Sequence, residues 1–333
     1  MRTALTGFAA SLIVGAAALL LATPLLRADA APAAPDPIVL RPAQLERGAD
    51  VSVPHVEGRT IVDGDRRIKV PGAHVALLGW TDRAYIVVSS TKGYGRHTTL
   101  RVRHDGTRKA ILKGRVGPWS LTLSDNGEYL IVVDDGRAPK ATGVTVRSAR
   151  NGALVARRSF KGSASVLDMH QGRVVLGAWG PNRTWWWNVR NDHTKRINRR
   201  VGYAADISGN RLATYSKDPY NGGCTILTNL TGRRIWRSCD ERVSAFSPQG
   251  RRMATVHILS DGLGPTQVWA RRGDGQLEAS YTARWFGDIY WESETALLLE
   301  THGRRQVTTA RCVATACERA ERVRREPAPR TDR

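Results

Sequence analysis

The stretch Ser244-Ala245-Phe246-Ser247-Pro248-Gln249-Gly250-Arg251-Arg252-Met253-Ala254-Thr255-Val256-His257, continued by Val268-Trp269-Ala270-Arg271-Arg272-Gly273-Asp274-Gly275-Gln276-Leu277, decides the fold. It reads as a strand, a tight turn at Ser247–Gly250, a strand, a longer loop, a third strand, a hairpin at Gly273–Gly275 and a fourth strand. Gly, Asp, Asn and Ser belong at such turns because they accept positive φ or bond their own backbone. Both landmarks return along the chain. Hairpin turns fall at Asp63-Gly64-Asp65, Asp105-Gly106, Asn151-Gly152, Asn191-Asp192, Thr231-Gly232, Gly273-Asp274-Gly275 and Ala314-Thr315, at steps of 40 to 46 residues. A shorter turn precedes each apolar second strand. Ser124-Asp125-Asn126-Gly127 before Tyr129–Val133 is the clearest copy, with weaker ones at Thr81-Asp82-Arg83, His170-Gln171-Gly172, Ser208-Gly209-Asn210 and Ser293-Glu294. A fixed period of this length in an all-strand pattern is the signature of a β-propeller with one four-stranded blade per repeat.

The expected fold is therefore all-β, a single-domain β-propeller over residues 38–323. Complete repeats begin near Val75, Trp119, Ser165, Tyr203, Ser244 and Asp288. A seventh hairpin, Thr60–Val70, lies ahead of them, and its inner strands would come from Ile38–Leu40 and Val51–Val53. Seven four-stranded blades is the expectation, and six blades with an added hairpin is the alternative. Closing the ring leaves no long open sheet edge.

Leu123-Ser124-Asp125-Asn126-Gly127-Glu128-Tyr129-Leu130 and Phe246–Ala254 resemble the F-S-P-D-G-K-x-L-A segment of WD40-like, TolB-like and YVTN-type propeller repeats. Val268-Trp269-Ala270-Arg271 stands where a WD40 repeat carries Trp-Asp, but no Trp-Asp dipeptide occurs in the chain. The resemblance is to the broad superfamily, covers about residues 59–323, and implies a fold without an activity, since propellers host enzymes and scaffolds alike.

Arg2, an uncharged apolar run from Ala4 to Leu26 and the Ala28-Asp29-Ala30 site give residues 1–30 the form of a cleaved signal peptide. The run is also long enough to serve as an uncleaved anchor. Residues 31–37 read as an extended Ala/Pro linker, and residues 324–333 as a disordered basic tail. The expected location is secreted or cell-envelope, with membrane attachment only through an uncleaved leader. The four cysteines agree with export. Cys224 and Cys239 are centred on Thr231-Gly232, and Cys312 and Cys317 on Ala314-Thr315, so each pair faces itself across a periodic hairpin. The expected disulfides are Cys224–Cys239 and Cys312–Cys317, which persist in an oxidising compartment. Metal binding is disfavoured by the spacing, which is not C-x-x-C and lacks a nearby His.

Catalytic signatures are absent: there is no G-x-S-x-G, H-E-x-x-H, P-loop or EF-hand loop. No catalytic residue, metal or cofactor is assigned. Asp168 and Asp206 occupy one place in adjacent repeats, on the channel-lining strand. They would form an acid/base pair or a cation site, or else bond the backbone of neighbouring blades. Trp185-Trp186-Trp187 would be a stacking platform or, on a central strand, interblade filling. The formal net charge of +21 attracts polyanions, yet no nucleic-acid-binding module is visible. Loops on a rigid scaffold usually carry function. The longer loops between second and third strands therefore supply the expected ligand face, with Lys92, Tyr94, Arg96, Arg137, Lys140, Lys217, Tyr220, His302 and Arg304. The functional expectation is a binding module for an anionic polymer or a protein partner. An enzyme with a channel-mouth site, of the lactonase-like or quinoprotein-like kind, is the alternative, and a purely structural protein a third.

Overall fold

The computed structural model describes residues 36–81, 83–134 and 141–326. The leader, most of the linker, Asp82, Arg137, Lys140 and the tail from residue 327 lie outside the described residues. Seven antiparallel sheets follow one another along the chain and form the ring of a seven-bladed β-propeller. Blade two shows the pattern: a channel-side first strand His74–Thr81, then Ala84–Ser90, His97–Arg103 and a rim strand Arg108–Gly114. Ala84–Ser90 is buried along its whole length, as a central strand covered on both faces must be, so it is a continuous apolar run. Arg108–Gly114 is mostly exposed and mostly polar.

The first strands of blades three to seven are Leu121–Leu123, Ser163–His170, Val201–Asp206, Glu241–Phe246 and Trp285–Trp291. Four of them, and that of blade two, carry a register shift against the second strand, at Leu77/Gly79, Val166/Asp168, Gly202/Ala204, Val243/Ala245 and Phe286/Ile289. Such bulges bend a strand and re-aim its side chains, here at the channel.

The hydrophobic core is a series of layers between blades. Ile61, Ile68 and Val70 of blade one meet Tyr85, Val87, Leu100 and Val102 of blade two. The opposite face of blade two presents Ile86, Val88 and Ile111 to Leu121, Leu130 and Val132 of blade three. Phe160 of blade three packs on Trp185 and Trp187 of blade four. Trp187 is fully buried and its indole N–H donates to Asp192 at 2.9 Å. Trp185 and Trp187 of the Trp run are therefore interblade filling. Between blades four and five the backbones themselves touch: a Cβ on Gly177 would overlap the Gly202 carbonyl.

Blade one departs from the expectation. It has three strands, His55–Glu57, Thr60–Asp63 and Arg66–Lys69. Ile38–Val39 is not its inner strand but pairs in parallel with Tyr281 and Thr282 on the rim of blade six. Val51–Val53 forms no strand; Val51 is buried against Leu298 and Ala320 of blade seven. The chain between them straps blade seven: Gly48 N–H donates to the Arg319 carbonyl and Arg319 N–H to that of Glu46. Arg311 locks the strap. Its guanidinium binds Glu292 at 2.5 and 2.9 Å and Glu318 at 2.8 Å, and donates to the carbonyls of Ala49 and Asp50. The Glu292 hydrogen bond holds Arg311 above its ordinary pKa. Burial alone would raise Glu292, but the Arg311 and Ser52 hydrogen bonds outweigh it and hold the carboxyl low. At the other end, Arg324–Arg325 pairs with Gln306 and Val307, so paired residues continue two positions past the expected limit of 323.

Both disulfides are those expected, Cys224–Cys239 and Cys312–Cys317. Cys312 and Cys317 are direct partners across the last hairpin, and Cys224–Cys239 closes the mouth of the blade-five hairpin next to the Thr225–Ser238 pair. Among the described residues no helix is long and apolar enough to cross a membrane.

Candidate functional site

The propeller has two faces. One carries the tight turns within each blade; the other carries the longer loops and the connections between blades. On the tight-turn face, at the channel mouth, the carboxylate oxygens of Asp125, Asp168 and Asp206 lie within 4.8 Å of one another. Asp168 and Asp206 come from the first strands of blades four and five. Asp125 comes from the Ser124–Gly127 turn of blade three, and sequence reasoning missed it because it read there as a turn residue. Asp168 accepts the N–H of Met169 and of Ile207, both at 2.6 Å, so it bonds the backbone of the neighbouring blade. Asp206 accepts from Ser208 Oγ and Gly209 N at 2.8 Å. Burial, then the charge of Asp125, pushes Asp168 up to about 8. Burial also raises Asp125, opposed by the hydrogen bond from Asp168. His170 Nδ1 lies 3.6 Å from Asp125. The trio borders a recess of about 580 Å³ with Tyr203, Phe246 and Ser247. Three hard oxygens are a partial ligand set for a divalent cation, but four backbone or hydroxyl donors already occupy Asp168 and Asp206.

The described residues of the expected loop face are spread over three blades. Lys92, Tyr94 and Arg96 are exposed together on blade two, Lys217 and Tyr220 stand on blade five, and Arg304 stands on blade seven. His302 is buried, stacked on Trp285, with Nδ1 at 2.5 Å from Glu326. It therefore holds the C-terminal segment to blade seven.

The concentrated positive charge lies instead on the tight-turn face, at the rim between blades two and three. Arg83, Arg101, Arg103, Arg108, Lys109 and Arg150 line a cleft of about 1350 Å³, with His104 and, among the described residues, two carboxylates, Asp105 and Glu128. The register explains the convergence. Arg101 is the cross-strand partner of both Ile86 and Lys109, so the basic pair extends outward the sheet face that buries Ile86 against blade three. Arg150 and Asn151 belong to the hairpin of blade three, next to Gly152, which has φ 79°. A Cβ on Gly152 would overlap the Ile111 carbonyl, so glycine lets that hairpin close on blade two. Among the described residues no carboxylate lies within 4.0 Å of the side-chain nitrogens of Arg101, Arg103, Arg108, Lys109 or Arg150. Asp105 turns to its own loop, accepting Thr107 N–H at 2.8 Å, which lowers its pKa. Other cations are paired, as in Arg252–Glu278 at 2.7 Å and Arg271–Glu241 at 2.5 Å. The signal for the cleft was the Arg101-x-Arg103 alternation followed by Arg108-Lys109 after the Asp105-Gly106 turn.

No protein-family model matches the sequence, and no curated protein matches it. Solved structures do. An uncharacterized protein from Listeria monocytogenes is 13% identical, covering 73% of this chain and 81% of that one, with TM-score 0.50. An acylaminoacyl peptidase is 9% identical over 82% of this chain, with TM-score 0.58. This chain spans about half of that peptidase, 52% of its length. TolB from Acinetobacter baumannii is 13% identical over 74% of this chain and 66% of that one, with TM-score 0.47. At these identities the likeness is one of fold alone.

Proposed function

We propose that this protein is an extracytoplasmic binding module that holds an anionic polymer in the cleft between blades two and three. The observation that carries this reading is the convergence there of six cations, five of them without a carboxylate partner among the described residues. Like charges packed together repel, and a bound polyanion relieves that repulsion while the field of the cleft draws it in. The net charge of +21 supplies the long-range part of the same attraction. Export is supported by the leader-like segment and by the two disulfides. Outside the cytoplasm, polymers with phosphate, sulfate or carboxylate groups are the matching ligand class. Arginine suits them, because its planar fork binds such groups bidentately.

The test is elution from a polyphosphate matrix under a salt gradient. The variant R101S/R103S/R108S/K109S should leave the column at clearly lower salt than the parent. K92S/R96S/K217S/R304S, on the opposite face, should elute with the parent. Equal elution of the first variant and the parent would remove the cleft as the binding surface.

A further inference from the structure

The loop face carries a second feature that charge does not explain. Among the described residues, six of the exposed large apolar side chains stand on it: Tyr94, Trp119, Trp179, Tyr220, Leu259 and Leu263. One of them, Tyr94, lines a pocket of about 490 Å³ formed by blade two with the segments on either side of it, and Trp119 adjoins it next to the lining residues Pro118 and His97. That volume lies in the range of about 300–1000 Å³ typical of small-ligand sites.

Each wall of the pocket is held in place. Tyr94 is 52% exposed and sits at φ 60°, a left-handed conformation that non-glycine residues rarely adopt. It is kept there by stacking on His74, with ring centroids 4.2 Å apart and planes 14° from parallel. Trp119 is 72% exposed on the short turn Pro118–Ser120. Its indole lies against Gly117, where a Cβ would overlap it. The ring of His97 meets that indole edge-on at 5.6 Å. His97 itself is only 4% exposed, yet its Nδ1 has no hydrogen-bond partner among the described residues. Buried polar groups are rarely left unsatisfied without a functional reason. Ser90, also buried, and Arg59 complete the polar lining, and no carboxylate borders the pocket.

We infer that this pocket binds a hexopyranose unit of a polysaccharide. A pyranose ring has an apolar face of C–H groups and an edge of hydroxyls. The exposed Trp119 and Tyr94 rings offer flat apolar surfaces for the former. His97 Nδ1, buried and waiting for a partner, matches a hydroxyl, which donates or accepts as required. The site is separate from the basic cleft and does not depend on it.

The experiment is tryptophan-fluorescence titration of the full mature chain with cellohexaose, chitohexaose and mannohexaose, repeated by calorimetry. At least one sugar should give a saturable change. W119A should weaken it at least tenfold, and H97F should weaken it at unchanged melting temperature. The cleft variant R101S/R103S/R108S/K109S should bind the sugar as the parent does, while losing the polyphosphate matrix. Absence of a saturable signal with all three sugars at 10 mM (an excess of about ten-thousandfold over a micromolar site) would overturn the inference, as would parent-like affinity in W119A. Loss of sugar binding in the cleft variant would place the sugar in the cleft and overturn it equally.

Discussion

Asp168 shows how one side chain couples blade to blade. Its two oxygens tie Met169 in its own blade to Ile207 in the next, and it faces the carboxylate of Asp125. Because its folded pKa, about 8, exceeds the value near 4 of an unfolded Asp, the folded chain retains a proton the unfolded chain has lost. Its contribution to stability is therefore full below about pH 4 and declines as pH rises towards 8. Asp168→Asn removes that titration. Melting temperatures of the variant measured from pH 4 to pH 8 should be flatter than those of the parent. Identical slopes would mean that Asp168 ionises as an ordinary carboxylate. The sequence placed Asp168 and Asp206 on the channel wall but not Asp125. A turn aspartate is explained by its turn, and nothing local marks that it also leans on the next blade.

At the scale of elements, the hairpins were legible because their chemistry is local. Asp105-Gly106 and Asn151-Gly152 announce positive φ where they stand, and both cysteine pairs follow from the register of their own hairpins. The strap was not legible. Two residues, Ile38 and Val39, pair with a strand some 240 positions later, and a match so short and distant leaves no pattern in either segment. The basic cleft escaped for a related reason, since its cations come from turns and strands of two blades. Packing between elements sets a sharper requirement at Gly177, where the second strand of blade four meets the first of blade five. Gly177→Ala must push these backbones apart, and chemical denaturation should find it destabilised by about 1–3 kcal/mol, the usual penalty of overpacking. Gly232→Ala gives the contrast. That glycine sits in the open at φ 97°, so its penalty is local backbone strain with no interblade component. If Gly177→Ala matched the parent, the two strands would not be in contact.

For the molecule as a whole, closure rests on the seam between blades seven and one. Six blades have four strands and the first has three, so the ring cannot be closed by a full blade. The strap and Arg311 complete it. Arg311→Met leaves Glu292, 6% exposed at its side chain, without its cation. Breaking a buried pair on one side typically costs about 3–5 kcal/mol, and differential scanning calorimetry should show a correspondingly lower melting temperature. Arg67→Met, which loses an exposed pair with Glu57, should change it little, because such pairs contribute about 0–1 kcal/mol. Equal behaviour of the two variants would mean that the strap does not secure the seam.

The route of the strap also decides how the molecule answers a pull. Tension applied at residue 36 reaches the rim of blade six first, then the Arg47–Arg319 bridge and the Arg311 anchor, and blade one only after these. The segment from Ile38 to Val53 would therefore come away before any sheet is broken, paying out roughly 50 Å of chain at about 3.3–3.6 Å per residue. In an optical trap the molecule should show one short extension at low force and then the long rip of the ring. The strap is a tether with slack built into it, and a propeller suspended by that end yields slightly before it opens.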